Sequence, residues 1–229
     1  MTGDTHRTIN MDKIKPYNFP QGQSLTKDDY LLVLGDFGFI WNNEDEELFW
    51  RQWFREQPYT TLFIDGNHEN FDLLKKFPIT KWKGGKVRFI NDSIIHLERG
   101  QIFEIDGLKL FTFGGAMSID KGRRVKGISW WKNEVPTIRE YNEALKNLEK
   151  HNFKVDYVLT HTCPTYISNL WGFTKFKDPT QGMLDQFIDM IHFKKWYFGH
   201  FHIDKSVGNF KCLYEEVVPI NPTTYYIEE

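Results

Sequence analysis

The chain has 229 residues, of which 40% are hydrophobic and 26% charged, a balance typical of a globular protein. A net charge of −2 excludes a global basic field for nucleic acid or an anionic membrane, and no apolar run of about 18 residues predicts a membrane span. Cys163 and Cys212 lie far apart and match no CxxC motif, which favours a reducing cytoplasm over a disulfide framework. Asp4, His6 and Arg7 stand where a signal peptide needs an apolar core, so we expect no export.

In chain order, the first predicted elements are a polar segment, a strand, a helix and a second strand. Residues 10–29 are polar and predict a loop with a short helix. The short apolar runs at 30–35 and 60–65 predict buried strands. Residues 44–57 predict a helix with Asn43 as its N-cap and acidic side chains in its first turn. The expected apolar face of this helix consists of Leu48, Phe49, Trp53 and Phe54.

The rest of the chain predicts hairpins, helices and further strands. Short strands are expected between 86 and 113, with a two-residue hairpin turn at Asp106-Gly107. Residues 114–134 are rich in glycine and basic residues and predict a long functional loop. The later elements are helices at 137–150 (apolar face Ile138, Tyr141, Leu145 and Leu148) and 181–193, strands at 155–160 and 196–199, and β-rich sequence at 213–220. This mixture without a linker predicts one α/β domain over residues 1–229.

Seven side chains that suit a metal ion lie in five short clusters, and most clusters directly follow an apolar run. They are Asp4, His6, Asp36, Asn67, His161, His200 and His202. All are nitrogen or oxygen donors, which argues against a sulfur-rich structural zinc site. Because ligands gather at the carboxyl ends of strands in α/β sheets, we expect these segments to converge on one pocket. His96, His151 and His192 lack such a context, and we expect ordinary roles for them.

The spacing of these residues predicts two cations. Asp4 and His6, like His200 and His202, have period two, so an extended backbone would point both members of a pair to one face. A lone aspartate or histidine at a strand end is more often a turn or core residue, and it is the joint pattern that carries the prediction. Seven ligands with Asp36 as a bridge suit two cations about 3.5–4 Å apart, which polarise phosphoryl oxygens and provide hydroxide at neutral pH. Mn²⁺ is the expected metal. Fe and Zn are the alternatives, because the softness of these ligands does not distinguish among the three metals.

These residues, in this order, resemble the calcineurin-like metallophosphoesterase superfamily, and Gly114-Gly115 and Ser129-Trp130-Trp131 resemble those of its bacterial and phage members. The motifs D-x-H, GD, GNH[DE], H and GHxH stand here as Asp4-Thr5-His6, Gly35-Asp36, Gly66-Asn67-His68-Glu69, His161 and Gly199-His200-Phe201-His202. The resemblance implies a four-layer α/β/β/α sandwich of two mixed β-sheets. It also implies one metal held by Asp4, His6, Asp36 and His202, and a second held by Asp36, Asn67, His161 and His200.

By the same resemblance, His68 protonates the leaving-group oxygen, a role that suits an imidazole near neutral pH. The alternative for His68 is that it serves as a third metal ligand. The protein phosphatases of the superfamily carry GDxxDRG, whose second Asp and Arg are missing after Asp36 here, so another group must bind phosphate. The candidates are Arg7, Arg123 and Arg124, because guanidinium binds phosphate oxygens in pairs, together with Asn67. Solvated surface charge is the alternative for Arg123 and Arg124.

The start of the chain also departs from the superfamily pattern. Relatives place a full apolar strand before D-x-H, whereas only Met1, Thr2 and Gly3 precede Asp4. We therefore expect a truncated first strand, with Asp4 and His6 less firmly anchored than the other ligands.

The sequence thus predicts a cytoplasmic, binuclear-metal hydrolase of phosphoric esters, with a phosphomonoesterase acting on proteins or small molecules as the first choice. A phosphodiesterase or nuclease is the alternative, supported by the basic residues at 121–126 but disfavoured by the near-neutral charge. A non-catalytic scaffold that retains the fold is the third hypothesis. The expected partner is a phosphorylated substrate; nucleic acid is not favoured, and no membrane contact is expected.

Overall fold

The computed structural model describes residues 1–175 and 177–220. The strands are β1 Tyr30–Leu34, β2 Thr60–Ile64, β3 Ile79–Trp82, β4 Gly85–Asn91, β5 Ile94–Leu97, β6 Gln101–Ile105, β7 Leu108–Phe113, β8 Tyr157–Thr160, β9 Lys195–Phe198, β10 Lys205–Val207 and β11 Phe210–Cys212. The α-helices are α1 Asp45–Glu56, α2 Phe71–Leu74, α3 Ile138–Lys150, α4 Thr165–Leu170 and α5 Pro179–Ile188, and short 3₁₀ helices span Asp12–Ile14, Pro20–Ser24, Lys121–Arg123 and Lys132–Glu134. None of the helices in this part of the chain has the length and apolar run that crossing a bilayer requires. The single domain over residues 1–229 stays a prediction.

The strands form two mixed sheets. The first has the order β1-β2-β5-β4-β3, with β1, β2 and β5 parallel and β4 and β3 antiparallel to their neighbours. The second has the order β10-β11-β9-β8-β7-β6, with the four central strands parallel and the two edge strands antiparallel. The predicted hairpin turn joins β6 to β7, with φ of 51° at Asp106 and 76° at Gly107, as a tight two-residue turn requires.

Alternate residues of the strands separate the faces of each sheet. Leu32 in β1 and Leu159 in β8 enter one apolar cluster that the two sheets share. Their neighbours Val33 and Val158 point the opposite way, into clusters that contain residues of α1 and α2 on one side and of α3, α4 and α5 on the other. The resulting order is helix, sheet, sheet, helix, which confirms the predicted four-layer sandwich.

The first residues of the chain make a single-residue continuation of the first sheet. Thr2 N donates to Leu32 O at 2.9 Å, and Leu34 N donates to Thr2 O at 3.0 Å. Met1 is buried, and its amino group donates to Val218 O at 2.6 Å. In place of a full first strand, the chain start forms one isolated β-bridge, from Thr2 to Val33 of β1, and lies between β1 and the segment 213–218.

Helix α1 differs from its prediction in its cap and in its packed face. The N-cap is Glu44, and the predicted cap Asn43 instead takes a left-handed φ of 60°. Leu48 and Phe49 are exposed, because the helix turns the side that carries Phe54 toward the first sheet.

Two predictions in the second half of the chain are also corrected. In α3, Thr137 forms a capping box, and Ala144 and Leu148 are buried, but Ile138 is exposed because it lies in the first turn, before the helix reaches the sheet. The segment 213–220, predicted to be β-rich, contains no strand; the last strands, β10 and β11, end before it.

Candidate metal centre

All five predicted clusters meet at one edge of the sandwich, where parallel strands of both sheets end. Asp36 follows β1, Asn67 follows β2, His161 follows β8, and His200 and His202 follow β9. Asp4 joins them from the chain start, since its two carboxylate oxygens accept the backbone N–H of His200 at 2.9 and 3.1 Å. The strand ends therefore bring distant segments to one place, as expected for ligands in α/β sheets.

Asp36 is the central side chain of this cluster. Its Oδ2 lies 3.1 Å from His6 Nε2 and 3.4 Å from His161 Nε2. Its Oδ1 accepts the backbone N–H of His68 at 2.7 Å, and the residue is buried. One carboxylate thus faces imidazoles from two different segments, which is the arrangement that a bridging ligand needs.

The candidate ligands divide into two groups, one of which contains Asp36. In each group the donor atoms lie within 4.8 Å of one another; the groups are Asp4, His6 and His202, and Asp36, His161 and His200. Asn67 Oδ1 lies 3.1 Å from His161 Nε2, beside the second group. His6, Asp36 and His68 make a third, overlapping group, so a ligand role for His68 stays the alternative. The assignment of ligands to each cation stays a prediction.

The predicted extended geometry of the period-two pairs is wrong. The backbone is left-handed at His6, His200 and His202, with φ of 44°, 70° and 51°. Such positions cost of order 1–3 kcal/mol each and need support from their surroundings. At His6 the support comes from its backbone N–H, which donates to Asp36 O at 2.8 Å. Sharp turns, rather than extended pairs, aim these side chains into the pocket.

Two glycines give the ligands room at the turns after β1 and β2. A Cβ on Gly35, whose φ is 89°, would lie 2.1 Å from His161 Nδ1. A Cβ on Gly66 would lie 2.1 Å from Asp36 Oδ1. Backbone therefore approaches the ligand side chains at these two positions, which explains why glycine precedes Asp36 and Asn67.

The electrostatics of the centre are those of a cation site. Burial would lower the pKa of His161, but the carboxylates of Asp36 and Asp4 outweigh it and raise the pKa to about 10. Burial would raise the pKa of Asp36, yet the histidines around it hold that pKa well below its usual range. Burial, together with the nearby charge of His161, lowers the pKa of His200 to about 3. The carboxylates of Asp36 and Asp4 thus place negative charge beside these imidazoles, where a metal cation would be favoured.

The donor set fits two divalent cations. His6 Nδ1 is buried and has no hydrogen-bond partner among the described residues. His161 Nδ1 lies 2.8 Å from Leu34 O and donates to it, which leaves Nε2 as a donor atom facing the pocket. The mixture of imidazole nitrogen, carboxylate oxygen and amide oxygen suits Mn²⁺, Fe²⁺ or Zn²⁺.

Residues that sequence analysis did not single out fix the orientation of Asn67. Asn67 Nδ2 donates to Ser118 Oγ at 3.1 Å, and Ser118 Oγ donates to Glu134 Oε2 at 2.7 Å. Glu134 is fully buried and also pairs with Lys121 Nζ at 2.9 Å. The amide oxygen of Asn67 is thereby turned toward His161. A signal was present, since Ser118 follows a strand that ends at the same edge of the sandwich.

Glu69, Lys13 and Tyr214 hold the turns that carry the ligands. Glu69 is buried and accepts the backbone N–H of Phe37 at 2.8 Å, and its burial beside Asp36 raises its pKa to about 8. Lys13 Nζ donates to Asp4 O at 2.8 Å. The ring of Tyr214 stacks on His202 at 4.7 Å. These contacts anchor the first and last motifs.

A cleft of about 630 Å³ opens beside the ligands. Its lining includes His68 and Arg124, whose guanidinium covers the imidazole with Nη1 3.0 Å from Nδ1 and Nη2 3.2 Å from Nε2. Arg7 and Arg123 are not among the described lining residues; Arg7 lies 3.7 Å from Glu46 and Arg123 is exposed. The phosphate-binding roles of the three arginines stay predictions, and the geometry favours Arg124.

Comparison with known proteins identifies the class of this site. The family model of calcineurin-like phosphoesterases matches residues 1–204, and the chain belongs to this family. It is therefore a metal-dependent hydrolase of phosphoric esters, as the sequence predicted.

A particular relative has a similar sequence over part of the chain. The lariat debranching enzyme of Schizosaccharomyces pombe is 27% identical over 138 residues, which cover 57% of this chain and 25% of the relative. The match thus spans a quarter of that enzyme's length.

Proposed function

We propose that the chain hydrolyses phosphodiesters at two divalent cations held by the seven side chains named above. The observation that carries this proposal is the position of Asp36, whose single buried carboxylate faces both ligand groups. Asp4, His6 and His202 would complete one cation site, and Asn67, His161 and His200 the other. Bound cations would supply Lewis acidity toward the phosphoryl oxygens and lower the pKa of water.

The residues that line the cleft would orient the phosphate and supply a proton. Arg124 presents two guanidinium nitrogens beside His68, which suits paired contacts with phosphate oxygens. The backbone N–H of His68 donates to Asp36 Oδ1 at 2.7 Å, and His68 lines the cleft, so its ring would border a phosphate bound there. We assign to His68 the proton donated to the leaving oxygen.

The charge around His68 changes when a substrate binds. Burial, with Arg124 and the neighbouring histidines adding to it, lowers the pKa of His68, while Asp36 acts in the opposite direction. A bound phosphate would bring negative charge that offsets the effect of Arg124 on this pKa.

The shape of the cleft favours a diester substrate over a monoester. The sequence favoured a phosphomonoesterase, and this stays the second candidate because Gly66-Asn67-His68-Glu69 resembles the motif of protein phosphatases. The cleft, however, continues beyond the ligands to Phe173 and Lys175, which leaves room for a second ester group. The similarity to a lariat debranching enzyme, a phosphodiesterase, supports the same choice.

Turnover of two chromogenic esters tests the proposal. With Mn²⁺, we expect bis(p-nitrophenyl) phosphate to be hydrolysed faster than p-nitrophenyl phosphate. Asp36→Asn should lower kcat/KM for the diester by at least about a hundredfold, because it weakens both cation sites. Asp28→Asn, at an exposed position remote from the cleft, is the matched control.

Other outcomes of this assay would decide against the proposal. Faster hydrolysis of the monoester would select the phosphomonoesterase. The absence of turnover with Mn²⁺, Fe²⁺ and Zn²⁺ would select the non-catalytic scaffold.

A further inference from the structure

An aromatic surface extends the cleft away from the metal centre. Phe201 stands between His200 and His202 in sequence, and its ring centroid lies 5.1 Å from that of His200. Phe173 follows, with its ring centroid 4.8 Å from that of Phe201 at an interplanar angle of 40°. Both rings line the cleft. We call Phe173 and Phe201 the aromatic shelf.

Core packing accounts for only part of this shelf. Phe201 rests on Phe198 and Trp171, with centroids 6.1 and 6.5 Å away, and so belongs to the edge of the core of the second sheet. Phe173 is 42% exposed and lies on a loop. Its position leaves apolar ring surface in water beside the ligands, which is the kind of surface that marks a binding site when polar groups border it.

Basic side chains lie on the two segments that border the cleft. Lys175, which lines the cleft, and Lys177 are exposed on the segment that carries Phe173, and Arg123 and Lys126 are exposed on the loop that carries the lining residue Arg124. The whole chain has a net charge of −2, so these cations form a local concentration rather than part of a general basic surface. We call these four residues the basic rim.

The acidic residues at the cleft are already engaged. Asp120 Oδ1 accepts from Arg124 Nε at 2.7 Å. Asp178 caps α5 through Thr180 N at 2.8 Å and accepts Met117 N at 3.0 Å, which joins the two bordering segments. Within the described residues, neither carboxylate forms an ion pair with a residue of the basic rim.

The combination of shelf and rim selects a class of ligand. Stacking rings beside a row of cations are the means by which proteins bind single-stranded nucleic acid, since every base has a flat face and every residue a phosphate. A duplex keeps its base faces stacked inside and would leave the shelf unused. A phosphotyrosine peptide has one flat ring and one phosphate, and would leave most of the rim unused.

We propose that the cleft binds single-stranded nucleic acid, with one base stacked on the Phe173–Phe201 shelf and the neighbouring phosphodiester at the metal centre. This rests on the proposed hydrolysis of diesters. In that reaction the oxygen of water forms a bond to phosphorus and the ester P–O bond breaks. His68 gives a proton to the departing oxygen, and the attacking water releases a proton that replaces it. The products are a phosphomonoester end and a free hydroxyl end.

Single-stranded hexanucleotides test the shelf when they are compared with versions that carry one abasic residue at each position in turn. In the wild-type protein with Mn²⁺, we expect kcat/KM to fall about tenfold when the abasic residue is next to the cleaved bond and little at the far end. In Phe173→Ala, the ratio between intact and abasic substrates should approach one. Phe173→Leu, which keeps apolar contact with Phe201 but lacks a ring, should reduce the ratio in part.

A matched aromatic control and a binding measurement separate the proposed stacking of a base on the shelf from the proposed hydrolysis of diesters. Tyr17→Ala removes an aromatic ring that is 82% exposed and does not line the cleft, so it should keep the wild-type ratio. If no ester of any kind is hydrolysed with Mn²⁺, Fe²⁺ or Zn²⁺, the proposed function fails. Fluorescence anisotropy of labelled hexanucleotides then tests the shelf alone, and a tenfold loss of affinity at one abasic position in wild type but not in Phe173→Ala would still support it.

Three results would overturn the shelf while leaving hydrolysis intact. One is hydrolysis of hexanucleotides with no dependence on any base. Another is an unchanged ratio in Phe173→Ala. The third is hydrolysis of bis(p-nitrophenyl) phosphate or a phosphotyrosine peptide, but of no hexanucleotide, and a preference for the peptide would identify the shelf as a site for tyrosine.

Discussion

Three of the predicted ligands have a partner that fixes their orientation. Leu34 O accepts from His161 Nδ1, the ring of Tyr214 stacks on His202, and Ser118 Oγ accepts from Asn67 Nδ2. Partners of this kind typically change metal affinity by about 10–100-fold, because they set which atom of a ligand faces the ion. For Asn67 this matters most, since its amide offers one oxygen ligand and one NH₂ group that cannot bind a cation.

Removing the hydroxyl of Ser118 should weaken metal binding. In Ser118→Ala, the amide of Asn67 loses its partner and gains rotational freedom, so we expect the Mn²⁺ affinity to fall about tenfold by titration calorimetry. Ser118→Thr retains a hydroxyl and should recover much of the loss. Ser168→Ala deletes another buried hydroxyl, bonded to Thr165 O at 2.9 Å in α4, and should leave the affinity near the wild-type value. Equal affinities in Ser118→Ala and wild type would contradict the role of Ser118.

At the scale of elements, a buried charged network ties β2 and β5 to the loop after β7. Asp65, at the end of β2, lies 3.2 Å from His96 Nε2 in β5 and accepts from Arg99 Nε at 2.8 Å. The backbone oxygen of Asp65 accepts Gly115 N at 2.8 Å. The network therefore fixes both the turn that presents Asn67 and the loop that carries Ser118. Such a buried network is costly to break, because removing any one of its side chains leaves a charged partner buried and unpaired.

This network should make stability depend on pH through His96. Burial would lower the pKa of His96, but its contacts with Asp65 and Glu98 outweigh that effect and raise the pKa from 6.5 to about 9. The folded protein thus holds this proton more tightly than the unfolded chain. The resulting stabilisation is complete below pH 6.5 and is lost as the pH rises through about 9. We expect His96 to contribute a fall of about 3 kcal/mol in the free energy of unfolding across this range.

Urea denaturation with a chelator present isolates this contribution. The loss of stability between pH 6.5 and 10 should be clearly smaller in His96→Gln than in wild type. His192→Gln, at an exposed histidine, should follow the wild-type profile. Parallel profiles for wild type and His96→Gln would show that His96 does not hold its proton through the alkaline range.

At the scale of the whole molecule, the features that the sequence predicted are those that depend on residues close together in the chain. The strand expected at 30–35 is β1 at Tyr30–Leu34, because a short apolar run bounded by polar residues leaves few alternatives. The seven candidate donors could be singled out because their motifs are local, and the structure places them at one edge of the sandwich. Contacts such as Asn67 with Ser118 could not be found in this way, since 51 residues separate the partners and only the fold joins them. The exposed side of α1 was missed for a related reason, because tertiary packing decides which of several apolar residues is buried.

The same long-range arrangement makes the metal centre a link between the two sheets. Asp36 and Asn67 come from the ends of β1 and β2, and His161 and His200 from the ends of β8 and β9. Cations bound by residues from both sheets favour the folded state, because the unfolded chain offers no such site. Metal binding should therefore stabilise the molecule as a whole rather than one motif.

Thermal unfolding with and without Mn²⁺ tests this link. At a Mn²⁺ concentration about 100-fold above Kd, binding stabilises the folded state by about 3 kcal/mol, which raises Tm by roughly 5–10 °C in a domain of this size. Asp36→Asn weakens the one ligand that faces both groups and should lose more than half of this increase. Asp28→Asn, at an exposed position, should keep it. An equal increase in Asp36→Asn and wild type, measured by scanning calorimetry, would mean that the stabilising ions bind elsewhere.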